Sequence, residues 1–511
     1  NEAALETFNF VDYLLDDKQT DVFLLFLEDV KTPALFEKTA EKALRAGKPI
    51  ILTKIGKSEA GRRAAQSHTG AMTGSYDVYK AMFQKYGIIE GEDREEMCDI
   101  AAGFSHFGDR LPLGRKVGIC SGSGGSAGWM AETCTAAGLE VPLLDNKTRA
   151  KIDAHLPHYA TSQNPVDGTA GSIRKIGYSI LGEWVAASPE VDSVIIVTSA
   201  RHPHVFSGEG DNLSRVAKEA SKPIVMCTYT LPHKDSTQMI NQAGYPFFMN
   251  MPNCARTIRE MADYRAHREA FLKIPEITLR DSNRERLTRA KLTERNAALC
   301  EHEVEGILAP YGIDCGIGGI ANSAVGALKV AETIDGPIAL KIQSRDIPHK
   351  SDVGGVKLGL TRNEEIKKAY KEILANVQNS APDAVIDGVL VRPMAREGVE
   401  MILGIKYDNA FGPMVLLGLG GIFVEVLQDV LLLPTPFSKQ EALTSLDRLK
   451  GAAVLSGVRG KPKSDKEALA DLMAKLSQFA SETSGAIAEL DLNPVIVHED
   501  GEGVTIADAL I

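Results

Sequence analysis

From Lys116 to Gly128 the sequence reads Lys-Val-Gly-Ile-Cys, then Ser-Gly-Ser-Gly-Gly-Ser-Ala-Gly, and a helical stretch follows. An apolar strand that empties into a glycine loop and then a helix fits a parallel sheet with helical crossovers and few other architectures. Further short apolar runs fit the same sheet-forming pattern: Asp21–Leu27, Pro49–Thr53, Val191–Val197 and Pro223–Cys227, separated by helical patterns. The junction also has a chemical consequence. Free backbone N–H groups and the positive end of the helix dipole meet there, so Gly122, Gly124 and Gly125 can admit an anion. Loops of this kind also occur as plain tight turns.

At 511 residues the chain exceeds what one hydrophobic core supports. Composition shifts divide it into a block over 1–112, a second α/β block over 113–265, a charge-rich helical linker over 266–296 and a third block over 297–511. The formal charge of −11 leaves no basic excess of the kind nucleic acid requires. Seven cysteines without CxxC spacing read as reduced thiols of a cytoplasmic protein rather than as disulfides or a zinc site. The most apolar run, Gly412–Val424, is shorter than the roughly 20 residues a bilayer span needs. Neither nucleic acid nor membrane is expected as a partner.

The densest chemical signal is Lys57-Ser-Glu-Ala-Gly-Arg-Arg-Ala-Ala-Gln-Ser-His-Thr-Gly-Ala-Met-Thr-Gly-Ser75. His68 stands among small residues where a reactant can approach closely, and neutral imidazole is a competent nucleophile at pH 7. This segment resembles the active-site loop of the ADP-forming acyl-CoA synthetases, the acetate–CoA ligase and feruloyl-CoA synthetase-like family. The resemblance implies that His68 accepts a phosphoryl group. Glu28 ends a strand forty residues upstream, a spacing similar to that of the family's histidine-holding glutamate. A carboxylate on one ring nitrogen fixes the tautomer and steadies the cationic phosphoimidazole. Taken alone, without His68, Glu28 reads as a strand-end carboxylate facing water.

In the second block, Asn164-Pro-Val-Asp167 matches an NPVD-type element of the family, and the resemblance pairs Asn164 and Asp167 with the glycine loop around acid, phosphate and CoA. His202-Pro-His204 reads as a polar loop, since no third ligand type stands near it. Tyr229–His233 follows a strand, where specificity loops lie, and weakly resembles feruloyl-CoA synthetase-like members.

The third block carries Pro337-Ile-Ala-Leu-Lys-Ile, in which Lys341 interrupts an apolar strand. A desolvated lysine normally faces an anion, here the ATP phosphates; snorkelling from an edge strand is the alternative. The resemblance makes this segment part of an ATP-grasp domain, with Gly354 and Gly355 as a flexible loop over the phosphates. It further implies an adenine-side hinge in Val389–Met394, Glu400 at a ribose hydroxyl or a structural partner, and backbone approach to phosphate at Gly420 and Gly421. Asn493 and Asp508 become Mg2+ ligands, Asp491 supports a docked histidine, and His349 is a second phosphate relay.

The resemblance implies a fold of two flavodoxin-like ligase domains plus a C-terminal ATP-grasp domain, acting as a homo-oligomer, dimer or tetramer. ATP, a carboxylic acid and CoA are the expected reactants, with ADP, phosphate and acyl-CoA as products. Two alternatives stay open: a CoA-ligating lyase such as the ATP-dependent dimethylsulfoniopropionate lyases, and a non-catalytic nucleotide-binding subunit. The chain starts at Asn1, with no Rossmann-type CoA-binding unit and no opening strand before its first block. The expectation is therefore a longer polypeptide whose missing part serves CoA chemistry.

Overall fold

The computed structural model describes residues 4–58, 60, 75–274, 281–293, 298–347, 349–421, 429–458 and 460–511. His68 lies outside the described residues. The chain divides into two compact units, one of residues 1–76 with 83–273 and one of residues 77–82 with 274–511.

The first unit holds two parallel sheets. Strands β1 (Phe23–Leu27), β2 (Ile50–Lys54) and β3 (Ile89–Glu90) lie in the order β1-β2-β3, with Leu27 beside Lys54. The second sheet joins β4 (Val117–Ser121), β5 (Val166–Asp167), β6 (Ser193–Thr198), β7 (Ile224–Thr228) and β8 (Phe247–Phe248) in the order β5-β4-β6-β7-β8. Strands β4, β6 and β7 are buried on both faces, which is why their sequences run apolar without alternation. Strand order reverses at β4. In open α/β sheets of this flavodoxin-like order the crevice at the carboxyl ends of the strands flanking the reversal, here β4 and β6, receives ligands.

The charge-rich stretch expected as a linker from residue 266 is divided differently. Residues up to 273 complete the helix Met251–Lys273 of the first unit, whose inner face packs on β7, β8 and the helix Arg94–Phe107. Gly103 on that helix is required, since a Cβ there would lie 2.5 Å from Thr257. The linker's charges are used locally. Arg268 donates to the carbonyls of Leu44 and Arg45 at 2.9 and 2.8 Å, capping the C-terminus of the helix Pro33–Ala46. Residues Ser282–Thr293 form a helix of the second unit, tied by Arg284 to the buried Glu482 at 2.6 Å.

The second unit is built on two antiparallel sheets. One places β9 (Gly319–Ala321), β10 (Ile338–Gln343), β11 (Val356–Leu360) and β12 (Gly388–Pro393) in the order β11-β10-β12-β9, with the helices Ala324–Ala331 and Asn363–Ser380 over its core. The other contains β13 (Val399–Asp408), β14 (Gly412–Leu419), β15 (Val430–Pro434), β16 (Glu489–Val497) and β17 (Val504–Ile506) in the order β15-β14-β13-β16-β17, and β18 (Ala509–Leu510) pairs with β16. The helices Glu301–Leu308, Lys439–Leu446 and Lys466–Glu482 contribute to its core. Gly412–Leu419 of the apolar run is thus a sheet strand, and among the described residues no helix is long and apolar enough to cross a membrane.

Candidate functional site

In the first unit the strand ends β1, β2 and β3 assemble a charged cluster around Glu28. The Lys54 side chain, 3% exposed, donates to the Glu28 and Ile55 carbonyls, each at 2.6 Å. Burial pushes the Lys54 ammonium down, while Asp29, Glu90 and Glu28 hold it up. Glu90 is fixed from three sides: Lys57 Nζ at 2.7 Å, the Tyr76 hydroxyl at 2.5 Å, and Arg256, which donates to the Glu90 carbonyl at 2.5 Å. Lys57 and Tyr76 bracket the histidine segment in sequence, so one carboxylate pins both of its stems. Sequence reasoning missed Lys54 and Glu90. The available signal was charge closing an apolar strand, as in Ile-Ile-Glu90.

The crevice at the ends of β4 and β6 is framed by small, tightly held groups. Ser121 Oγ donates to Val197 O at 2.8 Å, binding β4 to β6, and meets Ser126 Oγ at 2.8 Å on the helix Gly124–Ala136. Asp167 ends β5 beside that helix start; a Cβ on Gly124 would fall 2.6 Å from its Oδ2. A Cβ on Gly122 would lie 3.0 Å from the Tyr178 hydroxyl, whose pKa burial pushes up to about 12. Around Gly125 a Cβ meets nothing within 4 Å, leaving open space at the first helical turn. Thr169 and Ala200, near the ends of β5 and β6, hold positive φ of 52° and 48°. Strain of this kind collects at ligand sites.

Asn164 was expected in this crevice as a ligand contact, but its amide is spent inside the sheet. It accepts from Ile119 N–H at 2.8 Å and donates to the carbonyls of Val117 and Pro142 at 2.8 and 2.9 Å. Its role is to hold the Asp167 loop against β4. Asn164→Ala leaves buried strand groups unpaired and should destabilise the first unit by about 2–4 kcal/mol, checked by the urea midpoint of its unfolding.

In the second unit a cleft of about 770 Å³ is lined by residues that include Lys341, Arg392, Met394, Glu400, His498 and Ala507. Lys341, in mid-β10, sends its ammonium to both oxygens of Glu301 at 3.1 and 3.2 Å and to the Ala507 carbonyl. Glu301, 2% exposed, opens the helix Glu301–Leu308. Burial pushes its carboxyl up to about 7; the Lys341 charge opposes that shift and a hydrogen bond with Asp508 adds to it. Burial also works against ionising Asp508. The bond to Glu301 and the charges of Lys341 and Lys350 outweigh it and hold that carboxyl below its ordinary value. Lys350 lies on Asp508 at 2.6 and 2.8 Å. Glu301 and Lys350 were not assigned from sequence, although Lys350 directly follows His349.

The expected metal ligands come together. The Asn493 N–H donates to the Asp508 carbonyl at 3.2 Å, and β18 runs beside β16 at Asp491. Asp491 is half-buried, and burial raises its carboxyl while a bond with Asn493 lowers it. An ionised carboxylate and an exposed amide oxygen are donors a hard divalent ion accepts, so this pair fits Mg2+. His349 is exposed next to Lys350. Gly354 and Gly355, expected as a flexible loop, form a packed turn. A Cβ on Gly354 would lie 2.7 Å from Asn376, and one on Gly355 would lie 2.6 Å from Ile342, while the Gly355 N–H bonds Lys350 O at 2.8 Å. Gly420 donates to Glu400 O at 2.7 Å, and a Cβ there would meet Glu400 backbone at 2.9 Å. Gly421 also adjoins Glu400, whose Oε2 would lie 3.2 Å from a Cβ there. These glycines thus serve the close approach to Glu400.

A parallel sheet with a crevice at its reversal, and in the same chain a second unit whose cleft is lined by the buried Lys341, suit a ligase that handles phosphate. Residues 1–104 match the succinyl-CoA ligase like flavodoxin domain, and residues 290–511 match the ATP-grasp domain. The chain is 33% identical over 99% of its length, and 72% of the relative's, to acetate–CoA ligase [ADP-forming] I of Archaeoglobus fulgidus. It is 31% identical over its whole length, and 73% of the relative's, to 4-hydroxybutyrate–CoA ligase [ADP-forming] of Nitrosopumilus maritimus. A solved chain of the Ca. Korarchaeum cryptofilum dinucleotide forming acetyl-coenzyme A synthetase 1 aligns with 45% of this chain and 98% of its own, at 41% identity and TM-score 0.42. The protein belongs to the ADP-forming acyl-CoA ligase family.

Proposed function

We propose that this protein interconverts a carboxylic acid, CoA and ATP with acyl-CoA, ADP and phosphate through a phosphohistidine at His68. The observation that carries this reading is the pairing of two buried lysines with carboxylates, Lys341 on Glu301 and Lys350 on the half-buried Asp508, at the cleft and next to it. Lys341 in the cleft and Lys350 next to it are cations that suit phosphate, and family membership supports the same chemistry.

In the synthetic direction the His68 imidazole attacks the terminal phosphorus of ATP and ADP leaves. Lys341 neutralises phosphate charge during that transfer. Mg2+ held by Asn493 and Asp508 would supply further charge neutralisation on the phosphate oxygens. Glu400, at the start of β13 in the cleft, serves the ribose, with Gly420 and Gly421 fixing it. Asp491 and His349 are read as docking and relay groups for the carrier. Glu28 then holds the phosphoimidazole in the first unit. A carboxylate oxygen of the acid takes the phosphoryl group and frees the imidazole. CoA sulfur attacks the acyl carbon of this acyl phosphate and releases phosphate. The crevice of Gly122, Gly124, Gly125 and Asp167, kept in place by Asn164, is the proposed seat of that half-reaction.

The named acids of the two relatives, acetate and 4-hydroxybutyrate, support a carboxylic acid as the third substrate. The seven cysteines are free thiols, which supports a reducing, cytoplasmic setting. A homo-oligomer is supported by the exposed Phe10, Tyr13 and Phe26 side chains, apolar surface that a second chain could cover. The test is product analysis over a panel of acids: CoA- and acid-dependent ADP and phosphate should appear in equal amounts. Stoichiometric AMP and pyrophosphate would rule the route out.

A further inference from the structure

We propose that Lys350 is a tethered counter-cation, which occupies Asp508 until a divalent ion arrives and then passes to the nucleotide phosphates. The inference rests on the reading of Asp508 as a metal ligand. Lys350 is 7% exposed, and its ammonium engages both carboxylate oxygens of Asp508, at 2.6 and 2.8 Å. The carboxylate is itself fixed, since Ala509 N–H donates to the same Oδ1 at 3.1 Å. A divalent ion bonds carboxylate oxygen at about 2.0–2.6 Å and needs these same lone pairs. The ammonium and the metal compete for the same lone pairs of one half-buried carboxylate and repel each other there, so binding of the metal is an exchange.

The geometry also limits where the displaced ammonium can go. The Lys350 backbone is held by the Gly355 N–H at 2.8 Å, and Gly355 is packed on Ile342 of β10. The flexible four-carbon stem must therefore carry the movement. A freed ammonium beside the cleft is costly without an anion. The nearby carboxylate of Glu301 already receives Lys341 on both of its oxygens, and Lys341 also bonds the Ala507 carbonyl. The phosphates brought with the metal are the anion that completes the exchange. Lys350 thus balances charge in both states of the site and opposes metal binding in the absence of nucleotide.

The exchange predicts opposite effects of one substitution, measured on the full chain. Lys350→Met should bind Mn2+ alone about tenfold more tightly, read by the loss of the free-ion electron paramagnetic resonance signal, because the competitor is gone. The same variant should bind ATP at saturating Mg2+, measured by calorimetry, about tenfold more weakly, because a phosphate contact made only in the metal-loaded state is gone. Lys350→Arg, which restores a cation, should return Mn2+ affinity towards wild type. A misfolded or merely loosened protein would weaken both, and that result overturns the proposal, as does unchanged Mn2+ affinity in Lys350→Met. Asp508→Asn separates the two levels. Loss of Mn2+ binding in Asp508→Asn with no gain in Lys350→Met removes the exchange alone, whereas wild-type Mn2+ binding in Asp508→Asn removes the ligand assignment beneath it.

Discussion

Incubated with Mg-ATP alone, the protein should acquire acid-labile, base-stable phosphate, and His68→Ala should acquire none. Alanine has no nucleophile to carry phosphate, so synthesis by that variant should fall by more than about 10⁴-fold. Glu28→Gln should behave differently. It keeps the size and hydrogen-bonding shape of the side chain but loses the charge that steadies phosphoimidazole, so labelling should slow while the fold survives. The Glu28 carbonyl, which receives Lys54, is untouched by that change. Undiminished labelling of His68→Ala would move the carrier to His349 or elsewhere and remove the central step. Rapid-quench measurement of phosphoenzyme, with acid and base stability of the adduct, decides it.

Lys341→Met should produce two losses that can be separated. ADP affinity should drop by on the order of 100-fold, since a desolvated ammonium facing phosphate is worth about 2–3 kcal/mol. The second unit should also lose roughly 3–5 kcal/mol of stability, because Glu301 is left buried without its partner. Adding Glu301→Gln removes the stranded charge and should recover much of that stability without recovering ADP binding. Calorimetry with ADP and denaturant unfolding of the single and double variants test the two arms independently. Recovery of both by Glu301→Gln would mean that Lys341 acts only as a structural partner. An ADP affinity unchanged in Lys341→Met would remove it from the nucleotide site altogether.

Several features are legible in the sequence because their cause is local. The run Val117–Cys120 is apolar because β4 is buried on both faces, and the glycines after it are required where Asp167 and Tyr178 approach. Lys341 stands out because a lysine between Leu340 and Ile342 must find an anion. Its first anion is Glu301, forty positions away and hidden in a helix start with no unusual pattern. The expected linker fails for the same reason. Arg268 and its neighbours look solvated by composition, yet Arg268 closes the helix end at Leu44, 224 positions earlier. Gly354 and Gly355 are special positions, as their sequence context suggests, but glycine is compatible with either flexibility or close packing, and only their neighbours distinguish the two.

By itself, then, the sequence determined which segments are strands, where glycine must stand, and which chemical family the His68, Lys341 and Asn493–Asp508 segments resemble. These are properties of short stretches, set by hydrophobic period, backbone sterics and the cost of burying charge. The tertiary structure alone decided which charge answers which. Lys350 and Asp508 lie 158 positions apart, Glu90 is joined by Lys57 and Tyr76 from opposite ends of the histidine segment, and Asn164 turned from ligand contact to sheet clasp. Burial makes an unpaired charge or amide expensive, but it does not say where along the chain the partner will be found. Chain folding supplies that information, since it brings distant residues within hydrogen-bonding distance.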